Sequence, residues 1–258
     1  MIVETFAEQS AAAMSVGALS GRVAVVTGAA GGIGSAIARA LARQGAWVMG
    51  VDNAESVFQC MAEIGGVGLH ADLSDPVSAT TTVAAAAELR GRLDIVINAA
   101  GIQLRTAAVN VDELGWQRLL DVNLSAAYRL IRAAAPQLVA HRGCVVNVAS
   151  LSADRAVPGI VPYGATKAAL THLSKGLAVE LGPKGVRVNT VAPGYIETPM
   201  TSEVLNQSEF RTRALSRIPL QRFADGDDVA DAVVFLCAPA ARYITGIVLP
   251  VDGGYSIT

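Results

Sequence analysis

Short apolar segments alternate along the chain with longer segments whose hydrophobic positions recur at helical spacing. The apolar segments are rich in valine and isoleucine and predict buried strands at residues 23–26, 46–51, 66–69, 93–97, 144–148, 186–191 and 247–251. The segments between them predict helices at residues 33–43, 53–64, 76–90, 112–140, 162–181 and 225–238. This alternation is typical of an α/β fold, so we expect a Rossmann-like, doubly wound parallel sheet of about seven strands with helices on both faces.

The sequence predicts one domain over residues 21–258, because no linker-like segment divides it. Within that domain, residues 199–224 are less regular and predict a mobile flap of one or two short helices. Residues 1–20 carry Glu4 and Glu8 without a basic or continuously apolar stretch, so we expect a mobile tail rather than a secretory signal. Gly45 and Gly182 lie where helices are expected to end.

Composition excludes several classes of function. The chain has 258 residues, 52% of them hydrophobic and 16% charged, which is enough for a large buried core. A net charge of −2, with 5% aromatic residues and no long basic run, gives no sign of a nucleic-acid surface. The uncharged run at residues 23–38 is interrupted by glycines, so we expect no membrane span.

Metal and disulfide chemistry are also not expected. His70, His141 and His172 show no metal-ligand spacing with cysteines or carboxylates, so we interpret them as structural or surface residues. The three cysteines are widely spaced, which fits a reducing compartment and predicts a cytoplasmic protein.

A glycine-rich turn directly follows the first predicted strand. Gly28, Gly32 and Gly34 give the spacing G-x3-G-x-G, which differs from the G-x-G-x-x-G dinucleotide fingerprint. Glycines there would let backbone N–H groups approach a pyrophosphate, and the following helix would point its positive end at it. Packing alone also produces such turns, but the strand before it and the helix after it favour a dinucleotide site.

Asp52 ends the second predicted strand and bears on the choice of cofactor. Its carboxylate could accept hydrogen bonds from an adenosine ribose and would repel a 2′-phosphate. The alternative is an ordinary N-cap for the next helix. No arginine or lysine lies between Gly28 and Gly34 or closely follows Asp52, so we expect NAD rather than NADP.

Two further segments follow predicted strands at the same edge of the sheet. Asp72 and Leu73 come after the third strand, and residues 98–101 come after the fourth. Both segments could contact the adenine and ribose of a dinucleotide, and both could equally be ordinary turns without a ligand.

Ser150, Tyr163 and Lys167 form the candidate chemical group. Oxidation of an alcohol by a nicotinamide requires a group that moves the hydroxyl proton, and tyrosine normally titrates near pH ~10. Lys167 lies one helical turn from Tyr163, so its ammonium is expected to lower the tyrosine pKa. Ser150 ends a strand and could bind the substrate oxygen. Asn123, in apolar surroundings within a predicted helix, could cap a distorted turn or hold a water.

Together these residues make the chain resemble the short-chain dehydrogenase/reductase family from about residue 21 to residue 255. The resemblance implies that Tyr163 is base in oxidation and acid in reduction, and that Lys167 lowers its pKa and binds the nicotinamide ribose. It implies that Ser150 orients the substrate and that Asn123 supports a relay water. It further implies cofactor contacts from Thr27, Gly28, Gly31, Gly32, Ile33, Gly34, Asp52, Asp72, Leu73, Asn98, Ala99, Gly101, Tyr163, Lys167, Pro193, Gly194, Ile196 and Thr198.

Details of the resemblance refine the expected cofactor and assembly. Ala99 stands where many members have a second asparagine, although Asn98 remains. Gly31 occupies a position that is often basic in members that use NADP, which again favours NAD. The family also implies a homotetramer, with the predicted helices 112–140 and 162–181 and the last strand at its interfaces.

Within the family, residues 100–105, 192–198 and 216–219 look most similar to gluconate and deoxygluconate dehydrogenases. The expected substrate is therefore a small sugar acid, polyol or cyclic alcohol, with candidate contacts from Gln103, Arg105, Ser152 and Tyr195. Arg105 suits a carboxylate, although it could equally be a surface residue. The alternatives are a 3-oxoacyl thioester reductase, against which Asp52 argues, and a non-catalytic dinucleotide-binding protein.

Overall fold

The computed structural model describes residues 17–258. The predicted tail lies outside the described residues up to position 16. Residues 17–20 form a turn in which Leu19 is buried and donates its backbone N–H to Gln44 O at 3.0 Å. The packed region therefore begins slightly before the boundary expected at Gly21.

The strands and helices follow the predicted order. The strands are β1 (Val23–Thr27), β2 (Trp47–Asp52), β3 (Val67–His70), β4 (Ile95–Asn98), β5 (Cys144–Val148), β6 (Arg187–Pro193) and β7 (Val248–Val251). The helices are α1 (Gly32–Arg43), α2 (Ser56–Ala62), α3 (Val77–Arg90), α4 (Glu113–Leu120), α5 (Ala126–His141), α6 (Val161–Leu181), α7 (Ser202–Leu205), α8 (Ser208–Leu215) and α9 (Gly226–Cys237).

All seven strands form one parallel sheet in the order β3-β2-β1-β4-β5-β6-β7. The chain reverses its direction of travel across the sheet between β1 and β4. In doubly wound sheets, ligands bind outside the carboxyl ends of the strands at this switch point. The order therefore confirms the Rossmann-like fold and places the glycine-rich turn after β1 at that crevice.

Helices cover both faces of the sheet. On one face α1 and α9 pack over the central strands, with Ile37 and Val233 fully buried among them. On the other face α3, α5 and α6 pack over the same strands, with Leu130 and Val145 fully buried. Every residue of β1, β4 and β5 is buried, which explains why these strands are almost continuously apolar in the sequence.

One predicted helix is interrupted. The helix expected over residues 112–140 is α4 followed by a π-helical turn at Asp121–Ser125 and then α5. The extra residue in a π turn shifts the side chains of the turn relative to a continuous α-helix. Hydrophobic spacing did not reveal this shift, because both flanking helices keep their own periodicity.

Two smaller predictions at helix ends also need correction. The helix expected over residues 53–64 is shorter, because α2 spans only Ser56–Ala62. Gly182 has right-handed backbone angles and continues into a 3-10 turn, whereas Gly185 takes the left-handed conformation expected for a helix terminator, with φ of 84°. Gly45, with φ of 87°, directly follows the last capping residue of α1 as predicted.

Candidate active site

The glycine-rich turn after β1 is held by contacts that leave no room for larger residues. Gly28 has φ of 68°, and a Cβ there would lie 2.8 Å from the Ala100 backbone. A Cβ on Gly34 would lie 2.0 Å from Gly28 O, inside the turn itself. Both glycines are therefore required by backbone packing, which at the same time exposes backbone N–H groups at this edge of the sheet.

The start of α1 fits an anionic group. Gly31 is its N-cap, no side chain caps the helix, and no acidic residue occupies its first turn. The first N–H groups of a helix have no partner within the helix and carry partial positive charge. An uncapped, glycine-lined helix start beside an open cavity is therefore chemically suited to the pyrophosphate of a dinucleotide.

Asp52 faces the same cavity from the end of β2. Its Oδ2 accepts a hydrogen bond from Ala30 N at 3.0 Å, and its Oδ1 accepts one from Ala54 N at 3.0 Å. Asp52 is not the N-cap of the next helix, because α2 begins at Ser56 with Glu55 as its N-cap, so the bond to Ala54 N fixes only the turn before α2. The carboxylate also lines the cavity, as the ribose alternative requires. Carboxylate oxygens have spare lone pairs, so these two bonds leave acceptor capacity for a ribose hydroxyl.

The cavity has a volume of about 370 Å³ and gathers most of the predicted cofactor residues. The predicted residues that line it are Gly28, Gly31, Gly32, Ile33, Gly34, Asp52, Asp72, Leu73, Ala99, Gly101 and Thr198. Residues that line it without having been predicted as cofactor contacts are Ala30, Asn53, Ala54, Ala71, Ala100, Ile102, Arg118, Val122, Pro199 and Met200. Most of the additions are sequence neighbours of predicted residues, but Arg118 and Val122 come from a distant segment.

Two predicted cofactor residues lie behind the cavity wall. Thr27 Oγ1 accepts hydrogen bonds from Ala99 N and Ala100 N, both at 3.2 Å, and so supports the loop after β4. Asn98 Nδ2 donates to Asn147 Oδ1 at 2.7 Å within the sheet. Both side chains are buried and already bonded, so their support of any ligand is indirect.

Three predicted cofactor contacts at and just after the end of β6 do not line this cavity; they are Pro193, Gly194 and Ile196. Gly194 packs against Asp252, to which a Cβ at Gly194 would approach within 2.7 Å. Ile196 is buried and pairs with Ala224 in an isolated bridge. Pro193 is the last residue of β6. This segment carries Thr198 to the cavity, where a Cβ on Gly32 would touch the Thr198 methyl group at 2.9 Å.

Ser150, Tyr163 and Lys167 come together beside the cavity. Ser150 follows β5, whereas Tyr163 and Lys167 lie on α6, whose start carries Pro162. Ser150 lies close enough to Tyr163 to act on the pKa of its phenol, and Lys167 Nζ lies 5.7 Å from the centroid of the Tyr163 ring. The sequence-predicted trio is thus a spatial cluster built from a strand end and one face of a helix.

Lys167 connects this cluster to the cavity. The lysine is 3% exposed, and its Nζ donates a hydrogen bond to Val148 O at 2.8 Å. A Cβ on Gly101, which lines the cavity, would lie 3.3 Å from that Nζ. The ammonium is therefore separated from a cavity ligand only by a glycine.

The pKa of Tyr163 differs from the sequence expectation. Burial raises the pKa of Tyr163, and the hydrogen bond with Ser150 acts in the opposite direction without reversing the shift. Burial also lowers the pKa of Lys167 to about 8. The predicted lowering of the tyrosine pKa by the lysine is not found, because burial of the phenol is the dominant influence and Lys167 is not among the groups that shift this pKa. The shift favours the protonated phenol.

Asn123 lies in the π turn and links two parts of the site. Its Oδ1 accepts from Ile102 N at 2.8 Å, and its Nδ2 donates to Ile102 O at 2.9 Å and to Thr166 Oγ1 at 3.1 Å. The side chain is 1% exposed, and these bonds satisfy its amide. Asn123 thus fixes the loop that contains Gly101 against the helix that carries Tyr163 and Lys167.

The candidate substrate contacts fall in three different places. Arg105 is exposed, and its Nη2 donates to Gln103 Oε1 at 2.9 Å. Ser152 is buried and donates to Ser150 Oγ at 2.9 Å, so its described contact is with the candidate catalytic serine. Tyr195 packs edge-on against Phe210 on α8 and also contacts the rings of Phe223 and Tyr255. Only the Gln103–Arg105 pair lies on a polar, accessible surface.

Comparison with known proteins identifies the family. A family model described as enoyl-(acyl carrier protein) reductase matches residues 28–256, from the glycine-rich turn through to the last 3-10 turn. The chain belongs to the short-chain dehydrogenase/reductase family. It is accordingly an oxidoreductase of the nicotinamide-dinucleotide type, as the resemblance implied.

Relatives of this dehydrogenase/reductase are named for different substrates. Gluconate 5-dehydrogenase of Gluconobacter oxydans is 37% identical over 247 residues, which cover 93% of this chain and 96% of the relative. A candidate NAD(P)-dependent gluconate 5-dehydrogenase from Beutenbergia cavernae, solved with NADP at low occupancy, is 38% identical. It matches with a TM-score of 0.89 and covers 93% of this chain and 98% of that one.

A third relative was solved with the other form of the cofactor. The 3-ketoacyl-(acyl-carrier-protein) reductase of Brucella melitensis, in complex with NADH, is 34% identical with a TM-score of 0.86. The match covers 92% of this dehydrogenase/reductase and 99% of the Brucella chain. Membership of the family therefore leaves both the substrate and the choice between NAD and NADP to be argued from this chain's own residues.

The described residues contain neither a candidate metal centre nor a candidate membrane-spanning helix. Among residues 17–258, no cluster of three or more histidine, cysteine or acidic side chains could hold a metal ion. Over the same range, no helix of this dehydrogenase/reductase has both the length and the hydropathy needed to cross a membrane.

Proposed function

We propose that the protein is an NAD-dependent oxidoreductase that interconverts a secondary alcohol and a ketone. The observation that carries this proposal is the position of Lys167, whose Nζ lies 5.7 Å from the ring centroid of Tyr163 on one side and beside the cavity wall at Gly101 on the other. A proton-transfer group and a dinucleotide cavity are thereby in direct contact. Alcohol oxidation requires this contact, because the hydroxyl oxygen loses a proton while the carbon that bears it loses a hydride.

The residues of this chain divide the work of the reaction. Ser150 and Tyr163 hold the substrate oxygen between two hydroxyl groups, and Tyr163 gives a proton to that oxygen in reduction or removes one in oxidation. Lys167 provides positive charge beside the phenol and binds the nicotinamide ribose. The nicotinamide, when bound, supplies or accepts the hydride. Asn123 positions the loop and helix around it, and whether it also holds a relay water stays a prediction.

Asp52 supports NAD as the cofactor. Its carboxylate lines the cavity at the end of β2, where it would repel a 2′-phosphate and accept hydrogen bonds from a ribose. No basic residue occupies the glycine-rich turn beside it. The related structures hold either NADP or NADH, so this preference depends on the charge at Asp52 and not on the family.

The cofactor preference is tested by comparing wild type with Asp52→Asn. We expect wild type to have a kcat/KM at least about tenfold higher with NADH than with NADPH, since like charges at this distance disfavour the phosphate by ~1–2 kcal/mol. Asp52→Asn removes the charge and keeps one acceptor, so the ratio should move toward NADPH by about tenfold. If the ratio of kcat/KM with NADH to that with NADPH is unchanged in this variant, Asp52 serves only to hold the turn at Ala54.

The proposed substrate is a small sugar acid, polyol or cyclic alcohol. The exposed Gln103–Arg105 pair supports this class, because guanidinium and amide groups suit carboxylates and hydroxyls. Thr106 N donates to Gly159 O at 2.8 Å, which joins the segment that carries the pair to the loop before α6. The named activity of the Gluconobacter relative agrees with a sugar-acid substrate.

A 3-oxoacyl thioester reductase is the second candidate. The Brucella relative, named as such a reductase, was solved with NADH, so a preference for NADH does not by itself exclude this activity. A cavity of about 460 Å³, lined mainly by apolar side chains that include Tyr195, Ile218 and Leu220, offers space for an acyl chain.

A substrate panel tests the proposed function. Purified protein is assayed with NAD and NADP against gluconate-type acids, neutral polyols and cyclic secondary alcohols, and in reverse with an acetoacetyl thioester. Turnover of sugar acids that falls in Arg105→Ala but not in Arg132→Ala supports the carboxylate contact. Reduction of the thioester alone favours the second candidate. Binding of a dinucleotide without turnover of any of these classes would favour a non-catalytic role.

A cytoplasmic homotetramer completes the proposal. Apolar side chains stand exposed on the helices expected at subunit interfaces, including Leu114 on α4, Tyr128 on α5 and Val179 on α6. Burying them against other subunits would remove apolar surface from water. Light scattering should give four times the chain mass of 26.5 kDa, and a monomer would contradict this assembly.

A further inference from the structure

One arginine of the dinucleotide cavity comes from a segment that the sequence motifs do not mark. Arg118 lies on α4, outside the strand-end motifs, yet its side chain lines the cavity. Among the residues described around this cavity it is the only one with a positive charge, whereas Asp52 and Asp72 are negative. A dinucleotide adds the negative charges of its phosphates, so a cation here would offset an excess of negative charge.

The wall around Arg118 suits a flat apolar ring. Arg118 and Val122 are one helical turn apart and share the face of α4 and the π turn that borders the cavity. Ala71, Asp72 and Leu73 line the same cavity after β3. Leu73 and Val122 also border a smaller adjoining cavity together, which shows that these two side chains approach each other. The space beside Arg118 is therefore an apolar slot with polar groups at its rim.

The rim residues leave Arg118 available for a ligand. Asp72 Oδ1 accepts hydrogen bonds from Ser74 N at 2.9 Å and Ser74 Oγ at 2.8 Å. These bonds lower the pKa of Asp72, and the charge of Arg118 acts more weakly in the same direction. Within residues 17–258, the ion pairs closer than 4.0 Å do not include Arg118. Its guanidinium is thus near Asp72 without being held by it.

We propose that Arg118 is a cofactor-binding residue that closes the adenine end of the cavity by stacking its guanidinium on the purine. A planar, weakly hydrated guanidinium stacks well on aromatic faces. The anion-binding start of α1 and Asp52 occupy other parts of the cavity, so the apolar slot between Leu73 and Val122 is left for the base. This inference rests on the proposed dinucleotide function.

Binding titrations with three probes test the role of Arg118. Wild type, Arg118→Ala, Arg118→Lys and Arg132→Ala are titrated with NADH, with NADPH and with reduced nicotinamide mononucleotide, which lacks the adenosine half. Arg132 is an exposed arginine on α5 that lies outside the cavity lining and serves as the matched control. Arg118→Lys keeps the charge but loses the planar group.

We expect Arg118→Ala to weaken NADH and NADPH by about tenfold each and to leave the mononucleotide unchanged, because stacking involves only the base. Arg118→Lys should lose most of the same affinity, and Arg132→Ala should bind as wild type. A loss confined to NADPH would overturn the proposal in favour of a contact with the 2′-phosphate. Unchanged NADH binding in Arg118→Ala, or an equal loss with the mononucleotide, would also overturn it.

The same titrations separate this inference from the proposed function. If wild type binds none of the three probes, the dinucleotide function itself fails and the inference fails with it. If wild type binds NADH and Arg118→Ala binds it equally well, only the role of Arg118 is wrong.

Discussion

The site has two halves that are built from different kinds of contact. The nucleotide half is the cavity between the glycine-rich turn and Asp52, and the flap half is the apolar cluster that residues 199–224 form with Tyr195 and Tyr255. In the nucleotide half, backbone turns and strand ends set the shape, as shown by Gly34 against Gly28 O and by Asp52 bonded to two backbone amides. In the flap half, Tyr195 lies at the centre of an aromatic cluster with centroid distances of 5.4 Å to Phe210 and 5.1 Å to Tyr255. Local backbone geometry fixes the first half, and packing between distant segments fixes the second.

This difference bears on how related proteins can all bind a nicotinamide dinucleotide, as NADP or NADH, while their names give different substrates. A turn that admits only glycine at two places tolerates little change in shape. An apolar cluster made of side chains from the flap and the C-terminal segment can be repacked by volume-conserving substitutions at small cost. Specificity for the substrate can therefore change while the nucleotide half stays the same.

The largest expected effect is at the junction of the two halves. Tyr163→Phe should lower kcat by about 10²–10⁴-fold, because the variant has no proton to transfer. NADH affinity should stay within about twofold, since the hydroxyl serves the substrate. Stopped-flow turnover and fluorescence titration measure the two quantities. Tyr243→Phe, at a side chain that is 99% exposed, is the matched control. Near-normal turnover in Tyr163→Phe would refute its role.

The next largest effect concerns the glycine-rich turn. Gly34→Ala should weaken NADH binding by about tenfold or more and lower the free energy of unfolding by about 1–3 kcal/mol, because the new methyl group overlaps Gly28 O. Gly176→Ala is the control: its Cβ would meet nothing within 4 Å on α6, so stability should rise by about 0.5–1 kcal/mol. Equal behaviour of the two variants in denaturant melts and titrations would contradict the strict requirement for glycine in the turn.

A smaller effect is expected from pH. Lys167 has a pKa of about 8 and loses its positive charge above it, whereas the raised pKa of Tyr163 keeps the phenol protonated well beyond that point. Ketone reduction takes its one proton from Tyr163 and needs the positive charge of Lys167, so its rate should fall by about fivefold between pH 8 and pH 9. A kcat profile at saturating NADH measures this, with NADH affinity followed at each pH. A flat profile up to pH 10 would mean that the lysine charge is not required.

The smallest effect is expected in the flap half. Tyr195→Phe removes a hydroxyl and keeps the ring that packs edge-on against Tyr255, so it should lower the free energy of unfolding by no more than about 1 kcal/mol. The kcat/KM should change by less than about threefold, because the ring and its aromatic contacts remain. Thermal melts and steady-state kinetics test this. A tenfold rise in KM with unchanged stability would instead place Tyr195 in contact with the substrate.

The sequence predicted most of the nucleotide half. For the flap half it predicted one or two short helices, which are α7 and α8, but it did not predict the aromatic packing around Tyr195. Gly28, Asp52 and Asp72 could be found because each follows a strand that hydrophobicity marks clearly. Arg118 could not, because its place beside Asp72 depends on how α4 packs across the sheet, which no local pattern encodes. The same limit applies to Ser152, whose bond to Ser150 depends on the 3-10 turn at Leu151–Ala153.

The pKa of Tyr163 was likewise beyond the sequence. Helical spacing correctly placed Lys167 on the same face of α6, but spacing does not report how much water surrounds the phenol. Desolvation depends on the surrounding fold, and it is the largest influence on the pKa of Tyr163.

The number of residues in the π turn at Asp121–Ser125 helps to determine the geometry of the site. Successive helical residues are rotated by about 100° from one another, so one residue more or fewer changes the face on which a side chain lies. Deleting one residue before Asn123 would restore an ordinary helix and turn the amide away from Ile102 and Thr166. Substitutions within this turn leave that count unchanged, so a change in composition keeps Asn123 in place, whereas a change in length does not.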